Sequence, residues 1–169
     1  MKPIMLSLFA AFLATTMLLP SVGKAEDARV TKSMAALKDQ TAKLGAPKIE
    51  GTDAVGGKDT PALYFGSTKM NNNSAVVDAV AKEGGEGMAA TLFVKSGDKY
   101  IRVATTLANA LGTALSGPAP NAIKAGKPFY GAASVLGTPY ITDYEPIKDT
   151  SGAIIGIYFV GLELVPGEF

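Results

Sequence analysis

The fold is decided by residues 127–161, which read KPFYGAASVLGTPYITDYEPIKDTSGAIIGIYFVG. Aromatic and β-branched residues dominate this stretch, and glycine or proline interrupts it every few residues, a pattern typical of short strands joined by tight turns. Asp149 to Gly152 predicts a turn, because aspartate favours the first position of a β-turn and glycine tolerates positive φ. We therefore expect an antiparallel hairpin. Its outgoing strand, Ile154 to Leu164, is nearly all apolar, which predicts a central strand covered on both faces.

Upstream of this hairpin, residues 26–44 predict an N-terminal helix that ends before Gly45 and Pro47. Its apolar stripe follows spacings of three and four residues, as expected for one face of a helix. The stripe consists of Val30, Met34, Leu37, Thr41 and Leu44. It has two interpretations: it packs on the domain's own sheet, or it contacts a partner or a second copy of the chain.

The middle of the chain predicts a loop, three strands and a short helix. Lys48 to Thr60 is polar and rich in glycine, which predicts a loop, and Pro61 to Phe65 predicts a short strand. Ser74 to Glu83 predicts a second helix. Met88 to Lys95 and Tyr100 to Thr105 predict a second hairpin.

Arg102 stands in the middle of the last of these strands, among apolar residues. Either it lies on a solvated face, or its planar guanidinium is aimed at a carboxylate. The segment 107–120 that follows is rich in glycine, proline and small residues. It either frames a pocket or serves only as a crossover connection.

The composition restricts the chemistry that the chain can perform. Its 169 residues are 47% hydrophobic and 18% charged, which indicates one globular domain. The sequence has no cysteine and no histidine, which excludes a disulfide framework, a thiol nucleophile, a Ser-His triad and the commonest zinc ligands. We therefore expect no enzyme, no metal site and no cofactor.

The first 25 residues predict a secretory signal peptide. Lys2 gives a positive start, Ile4 to Leu19 is an uncharged apolar run, and residues 23–25 place small residues at a cleavage site. An uncleaved membrane anchor is the alternative, but the run is shorter than the roughly 20 residues of a spanning helix. We expect residues 1–25 to be removed and residues 26–169 to form a single domain that is periplasmic or secreted.

Cleavage at this point would leave a nearly neutral protein. It removes Lys2 and Lys24, so 14 basic and 15 acidic residues remain. This balance gives no electrostatic footprint for nucleic acid, and the sequence has no polybasic run that would hold a membrane surface. We therefore expect neither nucleic-acid binding nor stable membrane insertion after signal cleavage.

Three stretches of the sequence carry a family resemblance. They include YFG, NNN, VVD and AATLFVK between Leu63 and Lys95, GDKYIRVATT at residues 97–106, and AIKAGKPFYG at residues 122–131. Together they resemble the extracellular Cache sensor domains of bacterial chemoreceptors and histidine kinases, in particular the single-Cache and Cache 3/Cache 2 fusion groups. The resemblance implies an α+β, PAS-like fold, with the N-terminal helix packed on a mainly antiparallel central sheet formed by residues 61–164. It also implies a small-molecule pocket, and relatives often bind small organic acids.

Carried over residue by residue, the resemblance implies five ligand-binding candidates. They are Arg102 and Thr105 of the Arg-Val-x-Thr element, Tyr130 of Pro-x-Tyr-Gly, and Tyr140 and Thr142 of Pro-Tyr-x-Thr. A carboxylate would gain charge and shape selection from one bidentate arginine, and orientation from neutral hydroxyls. Core or rim packing is the alternative role for the tyrosines. Strict alternation places Thr105 on the face opposite Arg102, so a β-bulge or the strand end is needed to bring them together.

These inferences lead to one expected function and two alternatives. We expect an exported Cache-type sensory domain that binds a small organic acid, a carboxylate, and presents it to a membrane sensor in chemotaxis or signal transduction. Since the chain ends at Phe169, a few residues past the last expected strand, we expect no transmembrane or signalling module of its own. The first alternative is a ligand-free interaction module that docks through its N-terminal helix on a membrane sensor kinase or chemoreceptor. The second is an enzyme, which the missing histidine and cysteine oppose.

Overall fold

Three helices and eight strands are present within residues 26–165, the part of the chain that the computed structural model describes. The predicted signal peptide lies outside these residues. In chain order the elements are α1 (Ala28–Leu44), β1 (Pro47–Val55), β2 (Lys58–Phe65), β3 (Thr68–Lys69), α2 (Ala75–Gly84), β4 (Met88–Ser96), β5 (Lys99–Thr105), α3 (Ala119–Lys124), β6 (Phe129–Val135), β7 (Thr138–Lys148) and β8 (Ile154–Glu163). Both predicted helices are thus confirmed, as α1 and α2, and the second predicted hairpin is confirmed as β4 and β5.

The strands form two antiparallel sheets, one with strand order β5-β4-β8-β7-β6 and one with order β1-β2-β3. β8 lies between β4 and β7 and is almost entirely buried, which confirms the prediction of a central strand. The turn between β7 and β8 is held by Asp149. Its Oδ1 accepts hydrogen bonds from the backbone N of Ser151 at 2.8 Å and of Ala153 at 3.1 Å. The predicted α+β fold with a mainly antiparallel sheet is therefore confirmed.

The loop predicted over Lys48 to Thr60 is wrong, because most of this segment forms β1 and the first residues of β2. Gly56 and Gly57, both with positive φ, make the turn between the two strands. β1 is a largely exposed edge strand, so it lacks the apolar alternation that marks a half-buried strand. The sheet region therefore begins at Pro47.

The five-stranded sheet is covered on both faces. Helices α1 and α2 lie over one face, which we call the helix face, where Leu92 and Val160 join the core beneath them. Helix α3 lies over the other, which we call the loop face because the connections on either side of α3 reach it as well. There Phe93 and Phe159 pack with Ile123 of α3. The two faces therefore provide two separate environments for functional side chains.

Helix α1 buries its predicted stripe on the helix face. Asp27 caps the helix, because its Oδ1 accepts hydrogen bonds from the backbone N of Arg29 at 2.8 Å and of Val30 at 3.2 Å. Val30 and Leu37 are fully buried, whereas Leu44 at the C-terminal end is 37% exposed. The stripe therefore belongs to the domain's own core, which favours the first of its two interpretations.

Replacing Leu37 with alanine should lower the free energy of unfolding by about 2–5 kcal/mol, because truncation of a fully buried leucine leaves a cavity. Leu44→Ala, on the same stripe but exposed, is the matched control and should cost less than about 1 kcal/mol. Urea unfolding followed by circular dichroism measures both values. Equal losses for the two variants would contradict the burial of Leu37 beneath α1.

Candidate functional site

Arg102 is buried on the loop face, with only 3% of its surface exposed. Its guanidinium carbon lies 4.9 Å from the centroid of the Phe93 ring, a cation–π distance. The two residues are directly paired between β4 and β5, which places their side chains on the same face. The solvated-face interpretation of Arg102 is therefore wrong.

The Arg102 guanidinium is only partly satisfied by the protein. Nη1 donates hydrogen bonds to Thr113 Oγ1 at 2.9 Å and to the carbonyl oxygen of Ala114 at 3.2 Å. Nε is buried, and no acceptor within residues 26–165 lies within hydrogen-bonding distance of it. The ion pairs found in the same range do not include Arg102. Because arginine stays protonated, the described part of the protein buries a positive charge without a carboxylate partner.

Tyr144 of β7 shares the electrostatic environment of Arg102. Burial lowers the pKa of Arg102 from its ordinary value, and Tyr144 opposes this effect. Burial also raises the pKa of Tyr144 to about 12, with Arg102 opposing the shift. The Tyr144 ring lies on the loop face, 4.8 Å from the ring of Phe159. Near neutral pH the loop face therefore carries a buried cation and, two strands away on β7, a neutral hydroxyl that influences it electrostatically.

The segment Gly112–Leu115, which we call the strap, pairs with β5 beside the guanidinium. The backbone N of Arg102 donates to the carbonyl oxygen of Thr113 at 3.0 Å. The backbone N of Gly112 donates to the carbonyl oxygen of Arg102 at 2.9 Å. Gly112 has a φ of +77°, and a Cβ at this position would lie 2.8 Å from the Cα of Gly56. Only glycine fits there, so the strap is fixed between β5 and the β1–β2 turn.

A β-bulge places Thr105 on the same face as Arg102. The β4–β5 register shifts between Leu92 and Phe93, so Thr91 pairs with Thr105 while Phe93 pairs with Arg102. The Oγ1 atoms of Thr91 and Thr105 are hydrogen-bonded at 2.6 Å. Strict alternation, which predicts opposite faces for Arg102 and Thr105, is therefore wrong at this point.

Tyr140 and Thr142 lie on the loop face but farther along β7 than Tyr144. Across the sheet, Arg102 lies in one row of paired residues with Phe93 and Ile157, and Tyr144 lies with Phe159 in the next row on the loop face. Thr142 and Tyr140 follow at intervals of two residues along β7. At about 3.4 Å per residue, Tyr140 is well removed from the guanidinium. Thr142 Oγ1 is already satisfied, because it donates to the carbonyl oxygen of Gly131 at 2.7 Å. These two candidates therefore form a separate part of the loop face.

Tyr130 lies on the opposite, helix face. It pairs with Asp143 between β6 and β7, and its hydroxyl accepts a hydrogen bond from the backbone N of Asp27. Its neighbours Phe129 and Gly131 occupy the loop face, as strand alternation requires. The structure therefore does not bring Tyr130 together with Arg102.

Two cavities formed by described residues lie beside β5, near the guanidinium. One of about 230 Å³ is lined in part by Thr105, Leu107 and Leu111. Another, of about 330 Å³, borders the strap and is lined in part by Lys58 and Lys99. Arg102 lines neither of these two cavities. From either of these two cavities, a ligand would reach the buried guanidinium through movement of the strap or of the connection next to it.

Two residues of this environment, Tyr144 and Thr113, are absent from the five predicted site residues. The sequence pattern does indicate Tyr144, because this residue alternates onto the same strand face as Tyr140 and Thr142. It does not indicate Thr113, because the contact of Thr113 with Arg102 depends on how the strap folds back against β5.

The family model of the Cache 3/Cache 2 fusion domain matches residues 14–164 of the chain. The chain belongs to this family. No curated protein matches it. The predicted family is thus confirmed, and helices packed against a mainly antiparallel sheet are the architecture of a PAS-like Cache domain.

Cache domains are sensory modules that bind small molecules, and they are typically extracellular or periplasmic. Within residues 26–165, none of the helices combines the length and the apolar character needed to cross a membrane. Small-molecule binding is therefore the family function to which the buried guanidinium of this Cache domain would contribute.

Replacing Arg102 with methionine, an unbranched apolar side chain, should leave the free energy of unfolding within about 1 kcal/mol of the wild type or raise it, because a buried unpaired charge is costly. Thr113→Val keeps the guanidinium but removes a hydrogen-bond acceptor, and should cost about 1–3 kcal/mol. Urea unfolding gives both values. A loss above about 3 kcal/mol for Arg102→Met would instead identify Arg102 as a structural anchor of the strap.

Proposed function

We propose that this Cache domain is exported and binds a small organic acid through Arg102. The observation that carries the proposal is the buried guanidinium, which has an unpartnered Nε and no carboxylate partner among residues 26–165. Burying a charge without a partner costs several kcal/mol. A carboxylate that reached this position would compensate the charge and accept hydrogen bonds that the protein leaves unmade.

The free edge of the guanidinium suits a carboxylate in shape as well as in charge. Nη1 already donates to Thr113 and Ala114 of the strap. Nε and Nη2 form the other edge, which offers two parallel N–H donors to the two oxygens of one carboxylate. The Phe93 ring beside the guanidinium restricts its plane. This arrangement supports recognition of a planar, singly charged group.

Neutral hydroxyls on the loop face would orient the rest of the ligand. Tyr144 and Thr105 lie on the level next to Arg102, and Thr105 also lines the neighbouring cavity of about 230 Å³. Tyr140 and Thr142 are candidates for contact with a longer ligand only. We propose that the ligand enters as the strap moves, since Arg102 contributes to neither of the cavities beside it.

The predicted signal peptide supports the proposed location, and the resemblance to Cache sensor domains supports the proposed partner. A signal peptide over residues 1–25 would deliver the domain to the periplasm or outside the cell. There the liganded domain would act on a membrane sensor kinase or chemoreceptor, in chemotaxis or another form of signal transduction. Docking through the α1 stripe is not favoured, because Val30 and Leu37 are buried in the domain itself.

Calorimetric titration with short carboxylates (acetate, pyruvate and succinate) should detect binding to the wild-type protein. Arg102→Gln should weaken it by at least about 30-fold, because removing one partner of a buried charge pair costs about 2–5 kcal/mol. Arg29→Gln is the matched control, since Arg29 is exposed on α1 and donates to backbone carbonyls at Gly84 and Glu86. Its affinity should equal that of the wild type.

Two results of this titration would count against the proposal. One is unchanged affinity in Arg102→Gln, which would remove Arg102 from the site. The other is a wild-type protein that binds none of the carboxylates although it is folded by circular dichroism.

Mass spectrometry of the protein recovered from the periplasmic fraction of expressing cells should find an N-terminus at Glu26, because small residues precede this position. Replacing Ala25 with a bulky residue should shift or block the cut. Recovery of the uncleaved chain in the membrane fraction would support the anchor alternative instead.

A further inference from the structure

A cavity of about 450 Å³ lies between α1 and the edge of the five-stranded sheet, on the helix face. It is separated from Arg102 by the sheet itself. Its polar and apolar lining includes Glu26, Met34, Lys38, Tyr130, Asp143 and Glu145. The first three belong to α1 or precede it, and the others belong to β6 and β7, so the cavity is an interface between the helix and the sheet.

Two polar contacts join α1 to the sheet around this cavity. The Tyr130 hydroxyl accepts a hydrogen bond from the backbone N of Asp27, at the start of the helix. Further along, Lys38 Nζ lies 2.5 Å from Glu145 Oε2. Asp143 lies next to both contacts, because it pairs with Tyr130 and stands two residues from Glu145 on the same face of β7.

The charges that face Asp143 from α1 and β7 do not balance. Glu145 on its own strand and Glu26 before α1 are both acidic, and Lys38 of α1 is already paired with Glu145. Burial and the two glutamates together raise the pKa of Asp143 to about 7, and Lys38 opposes the shift. The protonated carboxyl is therefore the form that this interface favours.

Among residues 26–165, the side chains of the remaining elements around Asp143 add no compensating charge. β6 contributes Tyr130, and β8 places Val160 opposite Asp143 and Tyr158 opposite Glu145. Burial raises the pKa of Tyr158 above its ordinary value, so this phenol stays neutral near pH 7. Ionisation of Asp143 would thus bring a third carboxylate to a partly buried interface in which Lys38 is the one cationic side chain that the described residues provide.

We propose that Asp143 acts as a proton-operated latch on α1. With its carboxyl protonated, the first half of α1 stays packed on β6 and β7. With its carboxyl ionised, repulsion from Glu26 and Glu145 loosens that packing. The proposal concerns the helix face alone, so it stands or falls independently of ligand binding at Arg102.

The direction of the pH effect follows from the raised pKa. Asp143 has an ordinary value of 3.8 in the unfolded chain and one of about 7 in the folded protein. Its contribution to stability is fully present below about pH 4 and is lost as the pH rises to about 7. The sequence has no histidine and no cysteine, so other side chains with ordinary pKa values do not titrate between about pH 5.5 and pH 8. The α-amino group that cleavage before Glu26 would create has an ordinary pKa of about 8, and it is present in wild type and Asp143→Asn alike, so the difference between the two pH profiles belongs to Asp143.

Urea unfolding of the purified protein across this window tests the latch. The wild-type folding equilibrium constant should fall about 30-fold between about pH 5.5 and pH 8. Asp143→Asn, which imitates the protonated form, should show little pH dependence. Amide hydrogen exchange, corrected for intrinsic rates, should show the wild-type loss of protection in the first half of α1, while β4 keeps its protection. A pH slope in Asp143→Asn equal to that of the wild type would overturn the proposal, as would α1 protection that does not change with pH.

Two further variants separate the latch from a general charge effect. Asp53→Asn is the matched control on the other sheet, where the hydrogen bond from Lys69 lowers the pKa of Asp53, so the wild-type slope should remain. Glu26→Gln removes one source of repulsion and should move the midpoint of the transition to lower pH. A midpoint that stays in place in Glu26→Gln would contradict the charge geometry on which the latch depends.

Discussion

A positive charge buried on one face of an antiparallel sheet is the constraint on which the rest of this domain depends. Arg102 is 3% exposed, and the part of the chain that the structure describes gives it no carboxylate. The Phe93 ring and two acceptors on the strap hold the guanidinium in place, yet they leave Nε unpartnered. A buried, unpaired charge of this kind lowers the free energy of unfolding by several kcal/mol. A sensory domain would have a reason to keep it, because binding of the proposed anion would recover this energy.

The strap is the element that would have to move for a ligand to reach the guanidinium. It continues the sheet beyond β5 through backbone hydrogen bonds, and it also occupies Nη1 of Arg102. Gly112 fixes its position by packing directly against the backbone of Gly56. An incoming carboxylate would bind the edge formed by Nε and Nη2, and the strap would have to move only to let it reach that edge. Binding and movement of the strap would be one event, which gives the domain a conformational change to pass on.

Strand β7 connects the two faces of the sheet. Tyr144 lies on the loop face, as Arg102 does, and its neighbour Asp143 faces α1 on the helix face. One strand thus carries a neutral hydroxyl on the same face as the buried cation and, on its other side, a carboxyl near two glutamates. The apolar side chains of β4 and β8 separate these environments. Ligand and proton would therefore act on opposite faces of the same sheet.

The sequence predicts those parts of the fold in which burial leaves a pattern. The α1 stripe, the apolar β8 and the turn at Asp149 are all found where they are expected. β1 is missed because an exposed edge strand has no apolar alternation to read. The candidate site is less predictable, since the bulge that turns Thr105 toward Arg102 and the register that turns Tyr130 away are consequences of strand pairing. Residue patterns within one strand do not contain that information.

The central claim is that Arg102 Nε donates to an anion, and the ¹H–¹⁵N resonance of that group reports on it directly. Short carboxylates added stepwise to labelled protein should shift the Arg102 Nε resonance in a saturable way. The Nε resonance of exposed Arg29, which already donates to the carbonyl oxygen of Gly84, should stay in place. An Arg102 resonance that does not move with any carboxylate, in protein shown to be folded, would mean that the buried charge serves the structure and not a ligand.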